Sequence, residues 1–391
     1  MLHDPIAHAC QTIRGCPALQ AILPGQRVAI AVGSREIALL PELVRAMTDA
    51  IKSRGANPFI VPAMGSHGGG TAEGQRAMLH ALEVTEQGTG APIVSDMAVR
   101  LLGHTTSGVP VFMDAQAYAA DHTVLIARVK PHTDFHGRYE SGVLKMLAVG
   151  LGKGEGAAAF HEACDQPSQR ILDMASVVME RGNTLLALAV VEDASHRPAA
   201  IDVLPIRDYP HREPALLEQA RALLPRVPFG NLETLVVDEI GKNISGTGMD
   251  PNVTGRPHIP GGTAEIARYI AVLSLTDASH GNATGMGYAD VITRDVLDAV
   301  DWQATLRNCL TSRDTQAQKV PTVVSSGAQA LRCCLYCTGS DSPRVARIRN
   351  TMQLDQLFVS NALRSEVDAG QYDIVETDLG FEDCMFWRQS L

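Results

Sequence analysis

Several features that mark common protein classes are scarce in this sequence. Aromatic residues make up 4% of its 391 residues, too few for a surface that stacks the bases of nucleic acid. Lys and Arg number 33 against 43 Asp and Glu, a net charge of −10, so the composition offers no basic face. No apolar run approaches the roughly 20 residues of a membrane-spanning helix. We therefore expect neither nucleic acid nor a membrane as a partner.

Cysteine is also sparse: the chain has eight cysteines, too few at this length for a fold held together by disulfides. The tight group Cys333, Cys334 and Cys337 lacks the second pair of a zinc site, so free thiols are favoured over a metal or redox motif. The first fifteen residues do not show the charged start and apolar run of a secretory signal. We expect a cytoplasmic protein, and the sequence indicates no oligomeric state.

Short runs rich in Val, Ile and Leu alternate with segments of helical spacing. The runs lie at residues 27–32, 58–63, 123–129, 185–191, 235–240, 269–275 and 321–325. This alternation predicts an α/β fold with two domains, mostly parallel sheets and an interdomain cleft. A polar connection at 206–228 is taken as the end of the N-terminal domain, 1–228, and a C-terminal α/β domain, 229–391, is expected to close the cleft.

A glycine-rich turn follows the second predicted strand. It begins Gly65-Ser66-His67 and continues through three more glycines to Thr71. Such a turn brings backbone N–H groups close to a ligand, which makes Gly68 and Gly69 candidate binding residues. His67 stands at the end of a strand, where open α/β sheets bind ligands. The alternative is a plain tight turn with Thr71 as the N-cap of the next helix.

The densest polar segment, residues 127–145, leaves the third predicted strand. It carries His132 and His136 and ends in Lys145, at the start of an apolar stretch. A loop this polar beside a buried strand is typical of a functional site; the alternative is a solvated loop whose lysine reaches water. Sixteen residues after Lys145 comes His161, in an apolar helix-like segment, where a histidine by itself is normally a core residue.

In their order and spacing, these motifs resemble the lactate racemases that carry a nickel pincer nucleotide. The resemblance implies that Lys145 is bonded covalently to this cofactor, a pyridinium-3,5-bisthiocarboxylic acid mononucleotide that holds nickel, with Gly68 and Gly69 also at the cofactor. It implies that His161 is the protein ligand to nickel, and that His67 and His132 are the acid/base pair on opposite faces of the substrate.

The resemblance also assigns the substrate contacts. Arg35 matches the arginine that holds the substrate carboxylate, and Lys242 and Asn243 of the second domain match polar residues that close over the substrate. The family's Asp-x-Thr-Arg-Pro pattern is absent around Arg35, which leaves the particular 2-hydroxy acid open. The stretch from His132 to Lys145 is about three residues longer than in the family, which makes His136 a rival to His132.

The chemistry requires these residue types. Inverting a carbon that bears a hydroxyl and a carboxylate needs a hydride acceptor, an acid/base group on each face and a cationic clamp. Sulfur donors with one imidazole suit nickel. The sequence therefore predicts an isomerase, a racemase or epimerase of a small 2-hydroxy acid.

Two other functions remain open. One is a non-catalytic α/β binding protein for an anionic metabolite, which would use the glycine-rich turns alone. The other is a metal-dependent hydrolase or lyase, which is disfavoured because no H-E-x-x-H, H-x-H or paired-carboxylate ligand set is apparent. In the second domain, the loops at 238–251 and 276–282 also follow strands, and tight structural turns are the alternative to a binding role for them.

Overall fold

The seven apolar runs predicted to be strands all form strands. The computed structural model describes residues 2–34, 37–162, 166–256 and 266–367, apart from the side chain of Thr311. The chain divides into two units, Met1–Leu223 and Leu224–Leu391, each with its own sheet. The predicted α/β class with mostly parallel sheets is confirmed, whereas the interdomain cleft and the roles assigned to the two domains stay predictions.

The first unit is built on a five-stranded sheet with strand order β2-β1-β5-β6-β7. All neighbours are parallel except β6 and β7, and β3 and β4 form a separate antiparallel hairpin. The strands are β1 Arg27–Val32, β2 Asn57–Pro62, β3 Val99–His104, β4 Pro110–Asp114, β5 His122–Arg128, β6 Thr184–Glu192 and β7 Pro198–Pro205. The helices are α1 Pro5–Gly15, α2 Leu40–Ser53, α3 Ala72–Ala81, α4 Glu86–Thr89, α5 Ala115–Tyr118, α6 Val143–Lys145, α7 Lys153–Glu162, α8 Pro167–Arg181 and α9 Tyr209–Leu223.

Both faces of this sheet are buried, which is why its central strands β1 and β5 are mostly apolar between their ends. On β1, Ala29 and Ala31 face one hydrophobic core and Val28, Ile30 and Val32 face another. The first core includes residues of α7, α8 and α9, and the second includes residues of α1 and α2. Helices therefore cover both faces, and the carboxyl edge of the sheet is left for loops.

The second unit has a six-stranded sheet with strand order β11-β10-β9-β8-β12-β13. Only β12 and β13 pair antiparallel. The strands are β8 Leu232–Ile240, β9 Ala267–Leu275, β10 Val291–Thr293, β11 Thr322–Val324, β12 Val345–Asn350 and β13 Gln353–Val359. The helices are α10 Pro251–Thr254, α11 Arg294–Asp298, α12 Trp302–Ser312 and α13 Gly327–Thr338. Within the described residues, no helix is long and apolar enough to cross a bilayer.

Candidate active site

Three parallel strands bring the predicted site of the first unit to one edge of the sheet. The central strand β1 lies between β2 and β5, and the loops after these strands carry Arg35, His67 and His132 respectively. Parallel strands end at the same edge, so loops distant in sequence meet there. Arg35 itself lies outside the described residues. Its neighbour Ser34 is described, and its hydroxyl contacts Nδ1 of His67.

The turn that carries His67 has a backbone that favours glycine. Gly68, Gly69 and Gly70 all have φ between +66° and +68°, a left-handed conformation that side chains disfavour. A Cβ atom at Gly69 would meet no atom within 4 Å, so conformation and not crowding requires glycine there. Thr71 caps α3 by accepting a hydrogen bond from the Gly74 N–H, as the tight-turn interpretation expected. The turn therefore serves as a helix cap as well as a support for His67.

The loop that carries His132 is organised around one buried carboxylate. Glu140 accepts hydrogen bonds from the backbone N–H of His132 at 2.6 Å and of Gly137 at 2.9 Å, and Arg221 of α9 donates to it as well. Burial by itself raises the pKa of Glu140, but the hydrogen bonds from His136, His132, Gly137 and Arg221 outweigh it and leave the pKa below its usual value. The carboxylate thus stays charged and holds the loop against α9.

His136 belongs to this support. Its Nδ1 lies 3.4 Å from Oε1 of Glu140, so the ring faces the carboxylate of its own loop. His132 is placed differently: its Nδ1 accepts a hydrogen bond from the Asp134 N–H at 3.0 Å, and its Nε2 contacts Nζ of Lys145. The two histidines that the sequence left as rivals therefore have different neighbours.

A row of aromatic rings connects His132 to His161. The ring of His132 stacks on Phe135 with 4.2 Å between centroids, Phe135 lies 6.4 Å from Phe160, and Phe160 is edge-on to His161 at 5.2 Å. The ammonium of Lys145 lies 5.4 Å from the Phe135 ring centroid. His132, Lys145 and His161 thus lie around one apolar cluster, although 29 residues separate the two histidines.

Lys145 ends α6, whose first turn is capped from another helix. The buried carboxyl of Glu213, on α9, accepts a hydrogen bond from the Leu144 N–H at 3.0 Å. A Cβ atom on Gly142 would lie 2.6 Å from Cδ of Glu213, so glycine allows this close approach. After Lys145 the chain continues as a π-helical segment, Met146–Gly150, a geometry common at functional sites.

Glu213 has a strongly perturbed acidity. Its complete burial raises the pKa to about 7 from an ordinary 4.5, and the hydrogen bonds from the Leu144 and Val143 N–H groups only partly offset that rise. Its Oε1 atom is buried and makes no hydrogen bond. A carboxyl without a cation beside it is expected to be largely neutral below pH 7.

The loop after β1 is anchored close to Arg35. The Ala38 N–H donates to Oε1 of Glu192 at 2.7 Å, and Oε2 of Glu192 accepts from Arg128 at 2.7 Å. Burial raises the pKa of Glu192, but hydrogen bonds from His196, Ala38 and Arg128 and the charge of Arg128 outweigh this and hold it below its usual value. A charged carboxylate on β6 therefore ties this loop to the end of β5.

In the second unit, the two loops singled out from sequence meet at the ends of β8 and β9. Thr276 donates a hydrogen bond to Oδ1 of Asn243 at 2.6 Å, and the Lys242 N–H donates to Oγ of Ser279 at 2.9 Å. Nζ of Lys242 donates to the Gly246 carbonyl of its own loop. These contacts give the loops a structural role, and substrate contacts by Lys242 and Asn243 stay predictions.

A metal centre made of protein side chains alone is not found among the described residues. Over the part of the chain that the structure describes, no three His, Cys, Asp or Glu side chains converge on a point. Cys333, Cys334 and Cys337 lie on α13 as free thiols, and burial raises the pKa of Cys334 to about 12, which makes this thiol a poor metal ligand.

Sequence reasoning did not identify Ser34, Glu213, Phe135 or Phe160 as part of this site. Each is an ordinary residue in its local sequence and acquires its role only through a contact with a distant segment. Glu140 lay within the polar segment but had no assigned role. The available signal was a carboxylate three residues after Gly137 and four after His136, because such a residue often binds the N–H groups of its own loop.

These features define an α/β protein in which Lys145, His132 and His161 lie around one apolar cluster, and His67 lies on a loop that follows another strand of the same sheet. Residues 3–171 match the family model described as the lactate racemase N-terminal domain. The expected resemblance is therefore confirmed over this part of the first unit, and the predicted enzyme class, an isomerase of the racemase type, is confirmed with it.

A solved structure extends the fold comparison to most of the chain. The structure of the lactate racemase apoprotein from Thermoanaerobacterium thermosaccharolyticum is similar with a TM-score of 0.55 and 15% sequence identity. The similarity covers 88% of this chain and 91% of that one. At this identity it supports the fold of both units. No curated protein matches the sequence.

Proposed function

We propose that this protein is a racemase or epimerase of a small 2-hydroxy acid and that it works with a nickel pincer nucleotide bonded to Lys145. The observation that carries the proposal is the cluster of Lys145, His132 and His161 around Phe135 and Phe160. A plain core histidine would not need a lysine and a second histidine beside the same rings.

The residues present fit this cofactor. Nδ1 of His132 accepts from a backbone N–H, so in the neutral ring the hydrogen is on Nε2. When Lys145 is a neutral amine, the form that makes covalent bonds, the Nε2–H group of His132 can donate a hydrogen bond to its Nζ. His161 supplies one imidazole, which suffices when the other nickel ligands come from the cofactor. When bound, the group supplies the hydride acceptor.

The glycine-rich turn suits an anionic part of such a ligand. Among the described residues, the N–H groups of Gly68 and Gly69 have no acceptor, and open space lies where a Gly69 side chain would be. Backbone N–H groups beside a helix start favour phosphate and carboxylate. This supports Gly68 and Gly69 as cofactor-binding residues.

The strand order supports the proposed acid/base roles. Strands β2 and β5 flank β1, so the loops that carry His67 and His132 follow the two strands on either side of β1. A substrate held by its carboxylate at Arg35 has a histidine on each side, one to take the hydroxyl proton from one enantiomer and one to take it from the other. The contact of His132 with Lys145, and of His136 with Glu140, supports His132 for this role.

The competing functions receive less support. A metal-dependent hydrolase or lyase built from protein ligands needs a converging donor set that the described residues do not form. A binding protein for an anionic metabolite would need the glycine-rich turn but not the cluster around Phe135. The anion-binding turn is thus common to both remaining functions, and the lysine site distinguishes them.

The test uses protein made in cells that synthesise the cofactor. We expect the peptide containing Lys145 to carry an added mass, nickel to be present at about one per chain, and 2-hydroxy acids to be racemised from either enantiomer in a chiral assay. Lys145→Arg should abolish all three, and Lys130→Arg, in the same loop, is the matched control. Unmodified Lys145 without nickel or turnover would favour the binding protein.

A further inference from the structure

Lys153 is a buried cation that the proposed chemistry does not use. Its side chain is 1% exposed. The ammonium donates hydrogen bonds to the Pro62 carbonyl at 2.5 Å and to Oε1 of Gln75 at 3.1 Å. The same ammonium forms an ion pair with Oδ2 of Asp114 at 3.0 Å. A buried charge is costly unless all of its donors have partners. These three partners lie on β2, α3 and the end of β4, so one ammonium joins three segments.

The contact with Lys153 sets the orientation of the Gln75 amide. Because Oε1 of Gln75 accepts from the ammonium, its NH₂ group faces the other way and donates to the Gly65 carbonyl at 2.9 Å and the His67 carbonyl at 3.3 Å. Gln75 is fully buried, so solvent does not compete for these bonds. The Gln75 amide, which Lys153 orients, therefore holds the turn that carries His67 through hydrogen bonds to two of its carbonyl groups.

Lys153 is also the first residue of α7, the helix that ends next to His161. Its φ is +53°, a conformation that glycine adopts more readily, although Gly152 and Gly154 are on either side of it. The contacts of the side chain with Pro62, Gln75 and Asp114 account for a lysine at this position. The turn of His67 and the helix of His161 are thus attached to one another through a single side chain.

We propose that Lys153, acting through Gln75, is a positioning residue that sets the place of His67 relative to the helix of His161. The inference rests on the proposed function for its catalytic meaning, but the placement of the turn can be measured without it. Desolvation lowers the pKa of Lys153, and the Asp114 carboxylate opposes that change.

The test compares three variants of the full chain. Lys153→Met removes the ammonium and keeps the length of the side chain. Gln75→Glu keeps an oxygen toward Lys153 but loses both donors to the turn. Leu79→Ala, on the same helix as Gln75, removes fully buried packing but no side-chain hydrogen bond, and is the control for general loss of stability. If Lys153→Met does not fold because Asp114 is left unpaired, Lys153→Met with Asp114→Asn replaces it.

Hydrogen exchange of the peptide covering residues 65–71 reports the turn directly, because the N–H groups of Gly65, His67 and Gly70 are hydrogen-bonded there. We expect Lys153→Met and Gln75→Glu each to speed this exchange about tenfold or more. In the loaded enzyme kcat should fall about tenfold, while KM changes less than about threefold.

Unchanged exchange in the turn would overturn the inference, as would an equal fall in kcat for Leu79→Ala at matched stability. A wild-type protein without racemisation would refute the proposed function alone. The exchange rates of the turn would still decide whether Lys153 positions it.

Discussion

Glu213 allows a sharp prediction about stability and pH. Its pKa is raised to about 7 in the folded protein from an ordinary 4.5, so the folded state holds this proton more tightly than the unfolded state. The stabilisation is fully present below pH 4.5 and is lost as the pH rises through 7. At 1.36 kcal/mol per pH unit, the complete loss is about 3 kcal/mol. Glu213→Gln, which resembles the protonated carboxyl, should remove this pH dependence.

The assay has to measure the stability of the first unit, because Glu213 lies there. Both tryptophans lie beyond residue 300, so tryptophan fluorescence is not a direct probe of the first unit. Hydrogen exchange of peptides from β5 and β6, corrected for the intrinsic effect of pH, gives the free energy of opening for the sheet that Glu213 supports. Between pH 5 and pH 8 the free energy of wild type minus that of Glu213→Gln should fall by roughly 2 to 3 kcal/mol.

Other carboxylates also contribute to the pH dependence of the wild type. Glu140 and Glu192 have lowered pKa values, so their contribution is lost as the pH falls, which is the opposite sign. These contributions are the same in wild type and in Glu213→Gln, so they cancel when the free energy of one is subtracted from that of the other at each pH. Glu218→Gln is the control on the same helix, where the side chain is 69% exposed. A difference between wild type and Glu213→Gln that is flat from pH 5 to 8 would refute the reasoning.

Three further predictions concern the candidate site. His161→Ala should lose nickel while circular dichroism shows a folded chain, because the substitution removes binding energy specific to the metal; full nickel occupancy would remove His161 as the ligand. His67→Ala and His132→Ala should each slow racemisation from both enantiomers on the order of a hundredfold or more in a chiral assay. An active His132→Ala beside an inactive His136→Ala would transfer the role to His136. Arg35→Lys should strongly lower kcat/KM, because the lysine ammonium does not form the two parallel hydrogen bonds that arginine makes with a carboxylate. Unchanged turnover on the true substrate would contradict this.

The sequence was most informative where one local property decides the structure. A strand buried on both faces must be apolar at successive positions, and β1 was predicted with both of its ends correct for this reason. The helix after β1 and the turn before α3 were likewise indicated by apolar spacing and by glycine. The order of His67, His132, Lys145 and His161 is also a property of the chain alone, and it sufficed to suggest the family.

Three of the strands that sequence reasoning missed, β3, β10 and β13, lack such a local signal. Strand β3 is partly exposed along its whole length, and β10 has only three residues. Strand β13 is an antiparallel edge strand with no fully buried position. Each of these strands is stabilised by pairing with a neighbour, which a single segment does not reveal.

The tertiary structure alone decided the neighbours of each candidate residue. His132 and His136 are four residues apart and equally polar in sequence, yet one contacts Lys145 and the other contacts Glu140. The hydrogen bond from Leu144 to Glu213 spans 69 residues, and that between Lys153 and Gln75 spans 78. Hydrogen bonds and burial depend on distance in space, and only the folded sheet, by bringing the ends of β1, β2 and β5 to one edge, converts the order of these residues into a site.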